Sequence, residues 1–97
     1  MDFQYSIQGV EFEWDINKAR SNLEKHGVTF TEAAEVFFDP FYIEGDATAN
    51  NEQRNFIMGY SNAQRLLLVV YVERGARNRI ISARKATRTE RKSYEQF

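Results

Sequence analysis

The longest apolar run in the chain, Leu66 to Val72, is continuous rather than alternating and rich in Val, Leu and Tyr. That predicts a central strand covered on both faces. A turn-like segment from Glu73 to Asn78, with Gly75 inside it, separates this run from a second one at Ile80 and Ile81. The two runs read as a hairpin. Strict alternation in the second strand puts Ile80, Ser82 and Arg84 on one face and Ile81, Ala83 and Lys85 on the other. Upstream, Glu11 to Trp14 alternates as a short strand with Phe12 and Trp14 turned inward, and residues 1–10 form an edge strand or an ordered tail. Asp15 is placed to cap a helix reaching about His26. Its predicted buried stripe is Ile16, Ala19 and Leu23, with Lys18, Asn22 and Lys25 on a solvated face. Gly27 is placed to end the helix in the left-handed conformation.

Thr29 and Glu32 fit a capping box for a second helix striped by Phe30, Ala33, Ala34 and Phe37. Pro40 stops it. Strands follow at Phe41–Asp46 and Glu52–Ser61, the latter with Glu52, Arg54, Phe56, Met58 and Tyr60 on one side, then a turn at 61–64. Thr87 and Glu90 form another capping box before a last helix, Arg88 to Phe97. A strand, two helices, a four-strand meander and a helix make an α+β fold. The 97 residues suffice for one small domain.

Composition narrows the chemistry. The chain has no Cys and one His, which leaves no disulfide, thiolate metal site or two-histidine mechanism. No apolar run approaches the roughly 18 residues of a membrane span, and the N-terminus lacks a signal-peptide pattern; a cytoplasmic protein is expected. The net charge of −1 hides an asymmetry: residues 1–50 carry ten acids and three bases, residues 51–97 four acids and ten bases. Either one face meets a polyanion, or the two halves attract each other within the fold.

Taken together, the blocks WDINKA, KHGVTF, FDP and IISARKAT carry a resemblance. From Phe12 to Tyr94 the chain resembles the BrnT family, toxins of type II toxin–antitoxin pairs. The resemblance implies a RelE-like fold, a small antiparallel sheet with helices packed against it. It implies a ribonuclease that inhibits translation, and a neighbouring BrnA-like antitoxin carrying a ribbon-helix-helix DNA-binding part. A dimer or a heterotetramer with that antitoxin is left open, and no cofactor is implied. Residues 1–10 lie outside it.

No HExxH, P-loop or GxSxG is present. RNA cleavage without a metal needs a base for the attacking 2′-hydroxyl, cations for the phosphorane and an acid for the leaving oxygen. Arg84 is the first candidate for the cation, because a planar guanidinium can grip two phosphate oxygens. Placed at a strand end, it should add little to folding. Glu52 and Arg54, two apart on a strand, are a candidate base and its cation. Lys25 and His26 end the first helix, where the dipole favours cations and a histidine can move protons. Arg65, Tyr71, Arg79, Lys85 and Arg88 are candidate RNA contacts. Two readings compete with a toxin: a noncatalytic nucleic-acid-binding module, and an inactive partner of a DNA-binding repressor.

Overall fold

The computed structural model describes residues 1–96. A six-stranded sheet in the order β1-β2-β6-β5-β4-β3 is built from β1 (Asp2–Ile7), β2 (Val10–Asp15), β3 (Ile43–Asp46), β4 (Asn55–Tyr60), β5 (Leu66–Arg74) and β6 (Arg77–Lys85). Helices α1 (Ile16–His26) and α2 (Phe30–Glu35), with a 3₁₀ turn at Val36–Phe38, connect β2 to β3, and α3 (Arg88–Glu95) follows β6. Phe97, the predicted last residue of α3, lies outside the described residues. No helix among the described residues is long and apolar enough to cross a membrane.

The local signals act as expected. Residues 2–7 form an edge strand, folded back on β2 through a two-residue turn at Gln8 and Gly9. Both turn residues have positive φ, the geometry that matches strand twist. Asp15 accepts from the backbone N–H groups of Asn17 (2.7 Å) and Lys18 (3.4 Å), and Gly27 closes α1 at φ 68°. Thr87 and Glu90 form a complete capping box on α3. At α2 the box is half made: Thr29 accepts from the Glu32 backbone N–H, while the Glu32 carboxylate is used elsewhere.

The α+β architecture, a mostly antiparallel sheet with helices packed on it, is as expected, and three of its details differ. The sheet is not wholly antiparallel, because β2 pairs in parallel with β6 over three rungs, Glu11–Arg77 to Glu13–Arg79. The hairpin turn is tighter than Glu73–Asn78, since Arg74 already pairs with Arg77. A bulge also shifts the register between Val70 and Tyr71, leaving Ile81 as the extra residue between Ile80 and Ser82. A bulge reverses the phase of the strand beyond it. Ile80 and Ala83 therefore both enter the core, and Ser82 and Arg84 turn to the opposite face.

The core lies under α1 and α2. Phe12, Trp14, Val28, Phe30, Val36, Ile57, Leu67, Val69, Ile80 and Ala83 are among its buried members. Edge-on aromatic pairs, Phe12–Phe37 and Phe37–Tyr71, join the 3₁₀ turn to the sheet at centroid distances of 5.0 and 4.9 Å. β4 approaches this turn closely at Gly59, where an added Cβ would lie 2.9 Å from Asp39 Oδ2 and 3.2 Å from Val36 Cγ1. The stripe predicted on α1 is rotated: Leu23 is 47% exposed, whereas Asn22 is buried.

Candidate functional site

Asn22 faces inward because β6 lacks a neighbour there. β2 leaves the sheet after Glu13, so β6 beyond Arg79 has a bare edge toward α1. The Asn22 amide fills it. Its Nδ2 donates to the Ala83 carbonyl (2.8 Å) and the Val28 carbonyl (3.0 Å), and its Oδ1 accepts from the Ala83 N–H (3.0 Å). One side chain thus replaces a strand rung and hangs α1 on β6, and an amide is the residue type able both to donate and to accept.

The tether leaves a groove beside it. Asn17, Lys18, Ser21, Lys25 and His26 of α1 face Ile81 and Ser82 of β6 across a cleft of about 330 Å³. Lys18, Asn22 and Lys25 recur at helical spacing, so two cations flank the tether on one face. His26 is half-buried at the C-terminal end of α1, where Lys25 and His26 form the basic last turn. The dipole at a helix C-terminus favours cations in that position.

The other predicted residues divide by geometry. Arg84 stands on the far face of the sheet, paired with Glu90 of α3 through two bonds, Nη1–Oε1 at 2.8 Å and Nη2–Oε2 at 2.9 Å. The fork holds the Glu90 carboxyl well down, at about 2, with the Thr87 backbone N–H as a further cause. Arg65 is committed as well: Nε and Nη2 grip Glu32, and Nη2 also donates to the Gly27 carbonyl at 3.0 Å. Glu32 accepts from Ser61 Oγ too, and these bonds, the Arg65 pair first, hold its carboxyl below the usual range. Arg79 joins β6 to the N-terminal hairpin through Asp2 (3.0 Å) and Glu13 (2.7 Å), which raises its already high pKa.

Tyr71 is 6% exposed and packs on Phe37, and burial pushes its hydroxyl pKa up. Glu52 and Arg54 do pair, at 2.5 Å, but not on a strand: they lie in the loop before β4, near the isolated Ala49–Glu52 bridge. Asn55 pairs with Tyr71 and Leu68 with Arg84, so Arg54 and Arg84 are at least three rungs apart, roughly 10 Å along the strands and as much again across them. Lys85 and Arg88 are exposed at the end of β6 and the start of α3.

The structure thus gathers Lys25 and His26 in one groove, and sets Arg84 and the Glu52–Arg54 pair apart from it. Much of the charge asymmetry is internal attraction, through Arg65–Glu32, Arg79–Glu13 and Arg74–Glu13. Sequence reasoning placed Asn22 and Lys18 on a solvated face. Asn22 at the helical midpoint between two lysines was the available signal, but only the bare strand edge gives it meaning. Among the described residues, no three His, Asp or Glu side chains gather as a metal-binding group.

The sequence model for the ribonuclease toxin BrnT of type II toxin–antitoxin systems matches residues 14–90. The chain belongs to the BrnT toxin family. The match runs from Trp14 through the groove to Glu90, so it includes α1, Asn22, β6 and the Arg84–Glu90 pair. BrnT toxins are ribonucleases of type II systems, which implies an RNA target and an antitoxin partner. The fold is similar to the crystal structure of the Brucella abortus ribonuclease toxin BrnT. That likeness has a TM-score of 0.62 at 23% identity, covering 77% of this chain and 94% of that one. No curated protein matches the chain in sequence.

Proposed function

We propose that this BrnT-family chain cleaves RNA in the α1–β6 groove, without a metal, by attack of a 2′-hydroxyl on the adjacent phosphorus. The observation that carries the reading is the convergence of Lys18, Lys25 and His26 on one cleft along the open edge of β6 at Ile81 and Ser82. The groove offers cations and a proton carrier rather than a carboxylate cluster, which suits a charged phosphorane better than a metal. His26 is the candidate proton carrier. Lys25 and Lys18 are candidate phosphate contacts, held open to solvent on either side of the Asn22 tether. Lys85 and Arg88 extend the cationic surface toward α3. Arg84 acts here as the anchor of α3 through Glu90, and Arg65 and Arg79 as braces of the fold.

Cleavage in the cell would stop translation, and a ribbon-helix-helix antitoxin would hold the chain inactive. The test is cleavage of single-stranded RNA by the purified chain in EDTA. His26→Gln should lower the rate by about 100-fold or more with an unchanged melting temperature, the usual cost of removing a general acid or base. Lys25→Ala should weaken RNA binding and steepen its salt sensitivity less than wild type. Wild-type cleavage by His26→Gln would place the site elsewhere. Cleavage that appears only on adding a divalent ion would overturn the metal-independent reading.

A further inference from the structure

The face of the sheet opposite α1 and α2 is apolar and only partly covered: Met58 is buried, while Ile43, Phe56, Leu68 and Val70 are half-buried. Ile43, Met58, Leu68 and Arg84 form one row across β3, β4, β5 and β6, and Gly45, Phe56, Val70 and Ser82 form the next. Among the described residues, α3 stands over one corner of this face, tied down by Arg84–Glu90 and by the Tyr94 hydroxyl on Asp39 (2.6 Å). Between them lies a cleft of about 500 Å³ lined by Ile43, Ala47, Phe56, Met58, Leu68 and the Glu90–Ser93 side of α3. The Phe56 ring lies over Gly45, so close that a Cβ there would meet it at 2.5 Å. The missing side chain lets the ring lie across β3 and keeps it at the cleft surface.

On the α3 side, with Glu90 taken up by Arg84, three exposed cations stand against one exposed acid, Glu95. Arg88, Arg91 and Lys92 are exposed and make no ion pair among the described residues; Arg91 only donates to the Tyr60 hydroxyl at 3.2 Å. The β3 acids, Glu44 and Asp46, alternate with Ile43 and Gly45 and so point to the other face. Apolar rows bordered by unpaired cations form a surface for an amphipathic partner rather than for solvent.

We infer that this face seats the antitoxin, and that the occupant is an acidic, amphipathic protein segment whose apolar side chains enter the cleft over Phe56 and Leu68 while its carboxylates meet Arg88 and Arg91. Apolar burial supplies the hold, and the charges supply register and speed of association. The inference rests on the type II family membership. It puts the antitoxin across the sheet from the RNA groove, so inhibition acts by clamping α3 and β6 rather than by plugging the groove.

The experiment co-expresses the full chain with the product of the adjoining reading frame and compares hydrogen exchange of the chain alone and in the complex. Protection should concentrate on residues 43–47, 56–58 and 66–70 and on α3, with Lys18–His26 unchanged. Phe56→Ser should weaken the complex roughly 30-fold or more, as loss of a central aromatic anchor does, while free-chain cleavage of RNA stays at the wild-type rate. Arg91→Glu should slow association several-fold with the fold intact. Protection centred on α1, or unaltered affinity in both variants, would overturn the inference while leaving the cleavage site to its own test. Loss of RNA cleavage in Phe56→Ser with normal partner binding would overturn it too, assigning this face to RNA.

Discussion

Parting Arg84 from Glu90 should detach α3 while leaving the sheet folded, and the size of the effect can be worked from the pair. Glu90 shifts from its ordinary 4.5 to about 2, chiefly because of the two Arg84 bonds. That difference corresponds to about 3 kcal/mol of preference for the ionised, folded form at neutral pH. Water reaches both groups, with side-chain exposures of 38% for Arg84 and 26% for Glu90. Screening and the share owed to the Thr87 N–H leave about 1–1.5 kcal/mol for the pair itself. In a domain of this size that is a fall of about 5–10 °C in Tm, so Arg84→Ala does not melt like wild type, contrary to what a strand-end arginine suggests. The folded pKa lies below the unfolded one, so the contribution is complete above about 4.5 and disappears as pH falls through about 2. The assay is a double-mutant cycle of Arg84→Ala, Glu90→Gln and both, melted at pH 7 and pH 3. The coupling should be about 1 kcal/mol at pH 7 and less than half of that at pH 3. A coupling below about 0.3 kcal/mol at pH 7, or one equal at both pH values, would refute the assignment of Arg84 as an anchor.

Asn22→Ala should cost about 2–3 kcal/mol in urea titration, because it strands the Ala83 N–H and two carbonyls at a buried edge. A loss below 0.5 kcal/mol would mean that the edge is satisfied by water. Gly59→Ala should destabilise by about 1–3 kcal/mol through its clash with Asp39 and Val36, read as a lower Tm, whereas an unchanged Tm would show that the 3₁₀ turn yields freely. Expression of the chain without a partner should arrest growth, with translation failing before DNA synthesis in radiolabel incorporation, and His26→Gln should grow normally at equal expression.

Whatever depends on near neighbours in sequence was legible. Asp15, Gly27, Thr87 and Glu90 act as their spacing implies, since caps involve residues two to four apart. The β5–β6 hairpin and the β3–β6 meander were legible for the same reason. The bulge at Ile81 was not, because Ile-Ile-Ser-Ala alternates well enough either way, and the choice is made by packing Ala83 and Ile80 against α1 and α2. The parallel rungs of β2 on β6 carry no local mark at all. Which candidate residues stand together was hidden at the same level. Lys25 and His26 are adjacent in sequence and line one groove, but Arg65, Arg79 and Arg84 look alike as charges in the sequence. Only the fold gives Glu32, Glu13 and Glu90 to them as partners.

The Asn22 tether also sets an order on folding. It joins residues 61 apart in sequence, and the parallel β2–β6 rungs span a similar separation. Contacts so distant form late, after the loop between them has closed. The groove therefore does not exist while the ribosome has made only α1 and the first strands. It appears when β6, near the end of the chain, has emerged and taken its place beside α1. A chain that ends before β6 therefore has the residues of α1 but never acquires the cleft.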